Sequence, residues 1–147
     1  MRFTLTDFVA ESNRIEGIHG MPPTSDIEAH KAFLALDTVC WQDVEIFVSE
    51  IQPGAVLRDQ AGLDVFVGQH IPPAGGHEIK RRLDEMLNNI NIADPFYFHC
   101  DYECLHPFTD GNGRSGRLLW LYRMGGIDKT PLGFLHHFYY QTLAKAA

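Results

Sequence analysis

Residues 106 to 117 read His-Pro-Phe-Thr-Asp-Gly-Asn-Gly-Arg-Ser-Gly-Arg and run straight into Leu118, Leu119 and Leu121. That order leaves the backbone few options. Gly111 and Gly113 allow a tight turn with exposed amides, and the leucines that follow have helical spacing. The expectation is a loop delivered directly into a helix start, whose free N–H groups and dipole face an anion. Arg114 and Arg117 lie three apart on one helical face and can fork onto phosphate oxygens. Asp110 can give one hard oxygen to Mg²⁺, which takes one or two protein carboxylates and completes its shell from phosphates and water. His106, with an ordinary pKa of about 6.5, can accept a proton from an attacking hydroxyl near neutrality. Together these residues form the inventory of a site that reacts a nucleotide.

At every specified position the segment resembles the signature of the Fic family, H-x-F-x-D/E-G-N-G-R-x-x-R. The resemblance implies His106 as catalytic base and Asp110 as metal ligand. Asn112, with the amides of Gly111 and Gly113, would hold the α- and β-phosphates, and Arg114 and Arg117 the phosphate tail. It also implies that Phe108 points into the core, and His99 and Glu103 extend the likeness upstream. The expected activity is transfer of AMP from ATP, with Mg²⁺, to a Tyr, Ser or Thr hydroxyl of a target protein. A Doc-like kinase resembles the signature with lysine where this chain has Gly113, so glycine favours AMP transfer. Transfer of UMP or phosphocholine, removal of AMP, and a non-catalytic nucleotide-binding regulator are the alternatives, and the intact His106 and Asp110 speak against the last.

Ser12-Asn13-Arg14-Ile15-Glu16-Gly17 is similar to the inhibitory motif of regulated Fic proteins, S/T-x-x-x-E-G/N. Its place ahead of the signature resembles the subclass held in check by an N-terminal helix, here residues 1–20. A carboxylate at Glu16 reaching Arg117 would form a charge-assisted pair where a γ-phosphate belongs. Ser12 and Glu16 are therefore the expected inhibitory residues.

The rest of the chain reads as one all-α domain, residues 1–147, a helical bundle of Fic type with one β-hairpin flap. Ser25 and Glu28 have capping-box spacing, and apolar residues from Ile27 to Phe47 follow a helical period, which predicts one long helix. After Pro53-Gly54, residues 55–58 and 63–67 have the β-branched content of a hairpin spanning 53–68. That hairpin sits where the family carries a flap on which the target docks, and its open edge could pair with an extended target segment. Helices are predicted over 77–91, from Pro95 to Leu105, over 112–124 and over 131–145, the last with an aromatic run from His136 to Tyr140 that suits core packing. A formal net charge of -7 argues against a surface that tracks nucleic acid. An odd cysteine count of 3, and no secretory leader or apolar run of about 20 residues, point to a cytoplasmic protein that does not enter the membrane. His99, Cys100, Cys104 and His106 match no common zinc spacing. A homo-oligomer stays open.

Overall fold

The computed structural model describes residues 3–130. Their helices are α1 Leu5–Ile15, α2 Thr24–Leu34, α3 Trp41–Ile51, α4 His77–Asn88, α5 Pro95–Leu105 and α6 Asn112–Met124, followed by a 3-10 turn at Ile127–Lys129. The predicted helix over 131–145, with its aromatic run, lies outside the described residues.

Leu118, Leu119, Trp120 and Leu121 are consecutive in α6 and all buried. A helix apolar on every side must be surrounded, and α6 is the central element. Its Leu118 and Leu119 join Phe33, Phe47, Leu83, Leu105 and Phe108 in the main core. Trp120 and Leu121 turn the other way and form a smaller cluster with Phe8, which seats α1. Asp94 caps α5 by accepting from the backbone N–H groups of Phe96 and Tyr97 at 3.0 and 3.1 Å, and Pro95 occupies the first helical turn, where its missing N–H costs nothing. None of the helices is long and apolar enough to cross a membrane, among the described residues.

The structure departs from expectation in two segments, 24–51 and 53–68. The long helix from Ser25 to Phe47 is two helices, broken over residues 35–40. Asp43 starts the second by accepting from the Cys40 N–H at 2.9 Å and from Cys40 Sγ at 3.2 Å, a capping box built on cysteine. The break is held from outside as well, because the Tyr122 hydroxyl donates to the carbonyl of Leu36 at 2.8 Å. Folding back brings the His30 and Phe33 rings of α2 edge-on to Phe47 of α3, with centroids 4.8 and 6.1 Å apart. Nor do Ser25 and Glu28 form a capping box, since α2 starts after Pro23 with no side-chain cap.

The hairpin is the second difference. Residues 55–58 and 63–67 form no strand ladder with each other; among the described residues the pairing consists of isolated bridges, Leu57 with Phe108 and Val67 with His70. The first arm pairs instead with the signature loop. Arg58 N–H donates to Pro107 O and Thr109 N–H to Val56 O, both at 2.9 Å, and Val56 N–H donates to Thr109 Oγ1 at 3.0 Å. Between the two arms sits the buried Arg58 side chain, whose Nη1 donates to Leu63 O at 3.0 Å. A guanidinium takes the place that ladder bonds would have filled.

Asp43→Ala is expected to cost about 1 kcal/mol of stability through loss of the α3 cap. Urea unfolding of the variant against the wild type measures it.

Candidate active site

The signature loop is built by three sets of polar contacts. Asn112 Oδ1 accepts from the Phe108 N–H at 2.9 Å, and its Nδ2 donates to Phe108 O at 2.8 Å, closing the turn through one side-chain amide. Ser115 Oγ donates to Gly111 O at 2.8 Å, and Tyr102 OH reaches Ser115 Oγ at 2.7 Å from the neighbouring helix. Phe108, fully buried, nails the loop into the core. Gly111 begins α6 in the left-handed region at φ 79°, where a side chain would be strained.

Beside this loop lies a cleft of about 610 Å³. Its walls come from the end of α1 (Ile15, Glu16), residues 64–67, the end of α5 (Glu103, His106), residues 109–113 and Arg117. His106 stands at the end of α5 with φ 51°, the one described non-glycine residue with positive φ. Its Nδ1 lies 3.3 Å from Glu103 O. A carbonyl only accepts, so Nδ1 carries the hydrogen and Nε2 is the basic nitrogen of the neutral ring. Burial lowers the pKa of His106, helped by Arg58 and His70 and opposed by the Glu103 carbonyl and the Glu16 carboxylate. The ring is thus kept neutral near pH 7.

Arg117 is buried. Its Nε donates to Ser12 Oγ at 2.7 Å, and its Nη2 donates to Ser12 O at 3.0 Å and to Glu16 Oε1 at 2.7 Å. The Glu16 side chain is 40% exposed, so solvent screens the pair and its Coulomb gain is partial. Glu16 also overlies the start of α6, where a Cβ added at Gly113 would collide with its Oε1. A carboxylate therefore already lies against the positive end of that helix.

The structure brings His106, Asp110, Gly111, Asn112, Gly113, Arg117 and Glu16 to one cleft. Ser12 sits behind Arg117 as its acceptor. Asn112 lines the cleft but spends its amide on Phe108, so its observed contacts shape the loop. Arg114 is not among the cleft residues. Its Nη2 donates to Gln52 Oε1 at 2.6 Å, and the carboxylate that most favours its charge is Asp26, ahead of Glu16 and Asp110. A second recess of about 890 Å³ lies among His70, Arg81, Asp101 and their neighbours and contains none of the signature's residues.

A family model described as "Fic/DOC family" matches residues 30–123, more than half of the chain. The chain belongs to the Fic/DOC family. It is similar to proteins named "Protein adenylyltransferase Fic", with 37% identity over 82 residues in Drosophila persimilis and 32% over 96 residues in Nematostella vectensis. Those matches cover 49% and 56% of this chain but 15% and 22% of the relatives, so the chain spans only a fraction of their length. A Fic family protein from Desulfovibrio desulfuricans G20, solved by crystallography, superposes with a TM-score of 0.55 at 20% identity, over 93% of this chain and 50% of that one. This second likeness is one of Fic fold.

Whether these residues suit Mg²⁺ depends on Asp110. Its Oδ1 accepts from the Gly111 N–H at 2.8 Å, which orients the carboxylate at the cleft and leaves Oδ2 for a cation. One carboxylate matches a Mg²⁺ that brings phosphate oxygens with it. Among the described residues no three His, Cys, Asp or Glu side chains are grouped to hold a metal ion.

Sequence reasoning gave Glu103 only a place in the upstream likeness. Its carboxyl is almost buried in the cleft wall, with Oε1 lacking a hydrogen-bond partner and 3.9 Å from His99 Nε2. Burial raises its pKa from 4.5 to about 8, with Arg117 opposing and Glu16 assisting. His99 Nδ1 must carry hydrogen to reach Gly116 O at 3.1 Å, so its neutral ring presents an acceptor to that carboxyl. The folded protein binds this proton more tightly than the unfolded chain, so the stabilisation is full below pH 4.5 and lost as pH rises through about 8. Glu103→Gln is expected to remove that loss. In paired urea titrations its stability relative to wild type should be greater at pH 8 than at pH 5.

Proposed function

We propose that this protein is an adenylyltransferase that moves AMP from ATP to a hydroxyl of a target protein, and that Glu16 restrains it. The observation that carries the reading is the joint placement of the His106 imidazole, the Gly111–Gly113 turn and Arg117 around one cleft. In this reading the triphosphate lies against the first-turn amides of α6, with its far end toward Arg117. The target hydroxyl oxygen attacks the α-phosphorus while His106 Nε2 takes its proton. A new bond joins that oxygen to phosphorus, the bond from phosphorus to the bridging oxygen breaks, and pyrophosphate leaves with the electron pair. Asp110 would hold Mg²⁺, whose charge offsets that of the phosphates. The remaining contribution of the chain is alignment, supplied by a loop already locked through Asn112, Ser115 and Tyr102.

Glu16 stands where the outer phosphate would pair with Arg117, and two anions compete for one guanidinium. Its removal therefore frees the donor site. Gly113, where the Doc-like branch has lysine, favours AMP transfer over phosphorylation. The target is assigned to the cleft wall formed by residues 64–67, where Phe66 is 78% exposed and offers an apolar contact beside His106.

ATP labelled at the α- or the γ-phosphate tests the reaction. Label from the α-position should appear on protein, His106→Ala should abolish it, and Glu16→Gly should raise it by on the order of tenfold or more. Label from the γ-position alone would establish phosphorylation instead. Equal α-labelling by wild type and Glu16→Gly would remove the restraint from the account.

A further inference from the structure

Arg58 is fully buried, and each of its described side-chain bonds ends on a backbone carbonyl. Nε donates to His106 O at 2.7 Å and Nη2 to Leu105 O at 2.9 Å. Nη1 donates to Leu63 O at 3.0 Å and to Pro73 O at 2.9 Å. Its own backbone is engaged too, with the N–H on Pro107 O and the carbonyl accepting from Gly76 N–H, both at 2.9 Å. Residues 59–75 thus leave and re-enter the fold through a neck closed by one guanidinium. The same group covers the last carbonyls of α5.

Those carbonyls belong to the residues that set the imidazole. A helix end leaves its carbonyls without intrahelical donors, and a cation there satisfies them and suits the negative end of the dipole. His106 also holds a left-handed backbone, a strained conformation that persists only when its surroundings enforce it. Two bonds hold it there, Arg58 Nε donating to the His106 carbonyl at 2.7 Å and the His106 N–H donating to Tyr102 O at 2.9 Å.

We propose that Arg58 is the positioning residue of His106, fixing its backbone at the end of α5 and joining it mechanically to the neck of loop 59–75. This rests on His106 being the base assigned above. Loop and base are then one unit, because a shift of Leu63 or Pro73 reaches the His106 carbonyl through a single planar group. The charge acts on the ring as well: a buried cation disfavours the imidazolium, so its removal must raise the pKa of His106. The other groups acting on the ring are His70, which also disfavours the imidazolium, and Glu16 and the Glu103 carbonyl, which favour it.

The test is a titration of the His106 ring by carbon-edited NMR on the full chain, with His106→Gln used to assign the resonance. Arg58→Met should move the midpoint upward, while Arg58→Lys, which keeps the charge, should stay nearer the wild type. A folded Arg58→Met protein that titrates like the wild type overturns the proposal. The wild type supplies a second measurement that no folding failure can remove, since the Arg58 Nε–H resonance should titrate with the same midpoint as His106. An Nε–H signal indifferent to that titration overturns it equally. Neither measurement uses nucleotide, so failure of AMP transfer leaves this result standing, and an unmoved midpoint leaves the transfer reading standing.

Discussion

A guanidinium sealed inside a protein must be surrounded by acceptors, because several kcal/mol of lost hydration has to be offset on the spot. This chain meets that demand twice, by different means. Arg58 is satisfied by backbone carbonyls, which belong to the fold and do not leave. Arg117 is satisfied by α1, through both oxygens of Ser12 and the carboxylate of Glu16. The position of α1 on α6 follows from that need as much as from the burial of Phe8 against Trp120 and Leu121. One buried cation is held by backbone alone, and the other in part by a carboxylate that is 40% exposed.

The loop that walls the cleft is held by the chain's own contacts. Asn112 closes the turn on Phe108, Ser115 ties Gly111 to the helix, and Tyr102 braces Ser115 from α5. A loop held at so many points presents its amides in fixed directions, the property that makes hydrogen-bond donors effective toward a charged group. Gly116 gives α5 and α6 their close approach, since a Cβ there would collide with Glu103 Oε1 and crowd Tyr102. The two helices that carry the site are thus set against each other by a small residue inside the signature.

Where structure depends on neighbours in sequence, the sequence was readable. Asp94-Pro95 marks the start of α5, and the glycines before the leucines mark the start of α6, because caps and turns are local chemistry. The break between α2 and α3 was not readable: its cap uses Cys40, an uncommon capping residue, and its other support is a hydroxyl from Tyr122 far along the chain. The alternation of Val56, Val65 and Val67 suggests two strands, yet the partner of the first arm is residues 107–109, and spacing carries no record of a remote partner. The same limit applies within the site. Helical periodicity puts Arg114 and Arg117 on one face, but Gln52 draws the first away while Ser12 and Glu16 hold the second. Arg58 resembles a residue of the family's flap, but its part at the end of α5, like that of Tyr102 behind Ser115, depends on atoms contributed by other segments.

Glu16 follows the last residue of α1, and Phe8 is seated two turns earlier, roughly 12 Å along the axis. One short helix therefore carries both an apolar plug at Phe8 and a charged end at the cleft, so the burial of the first and the placement of the second share a single rigid element.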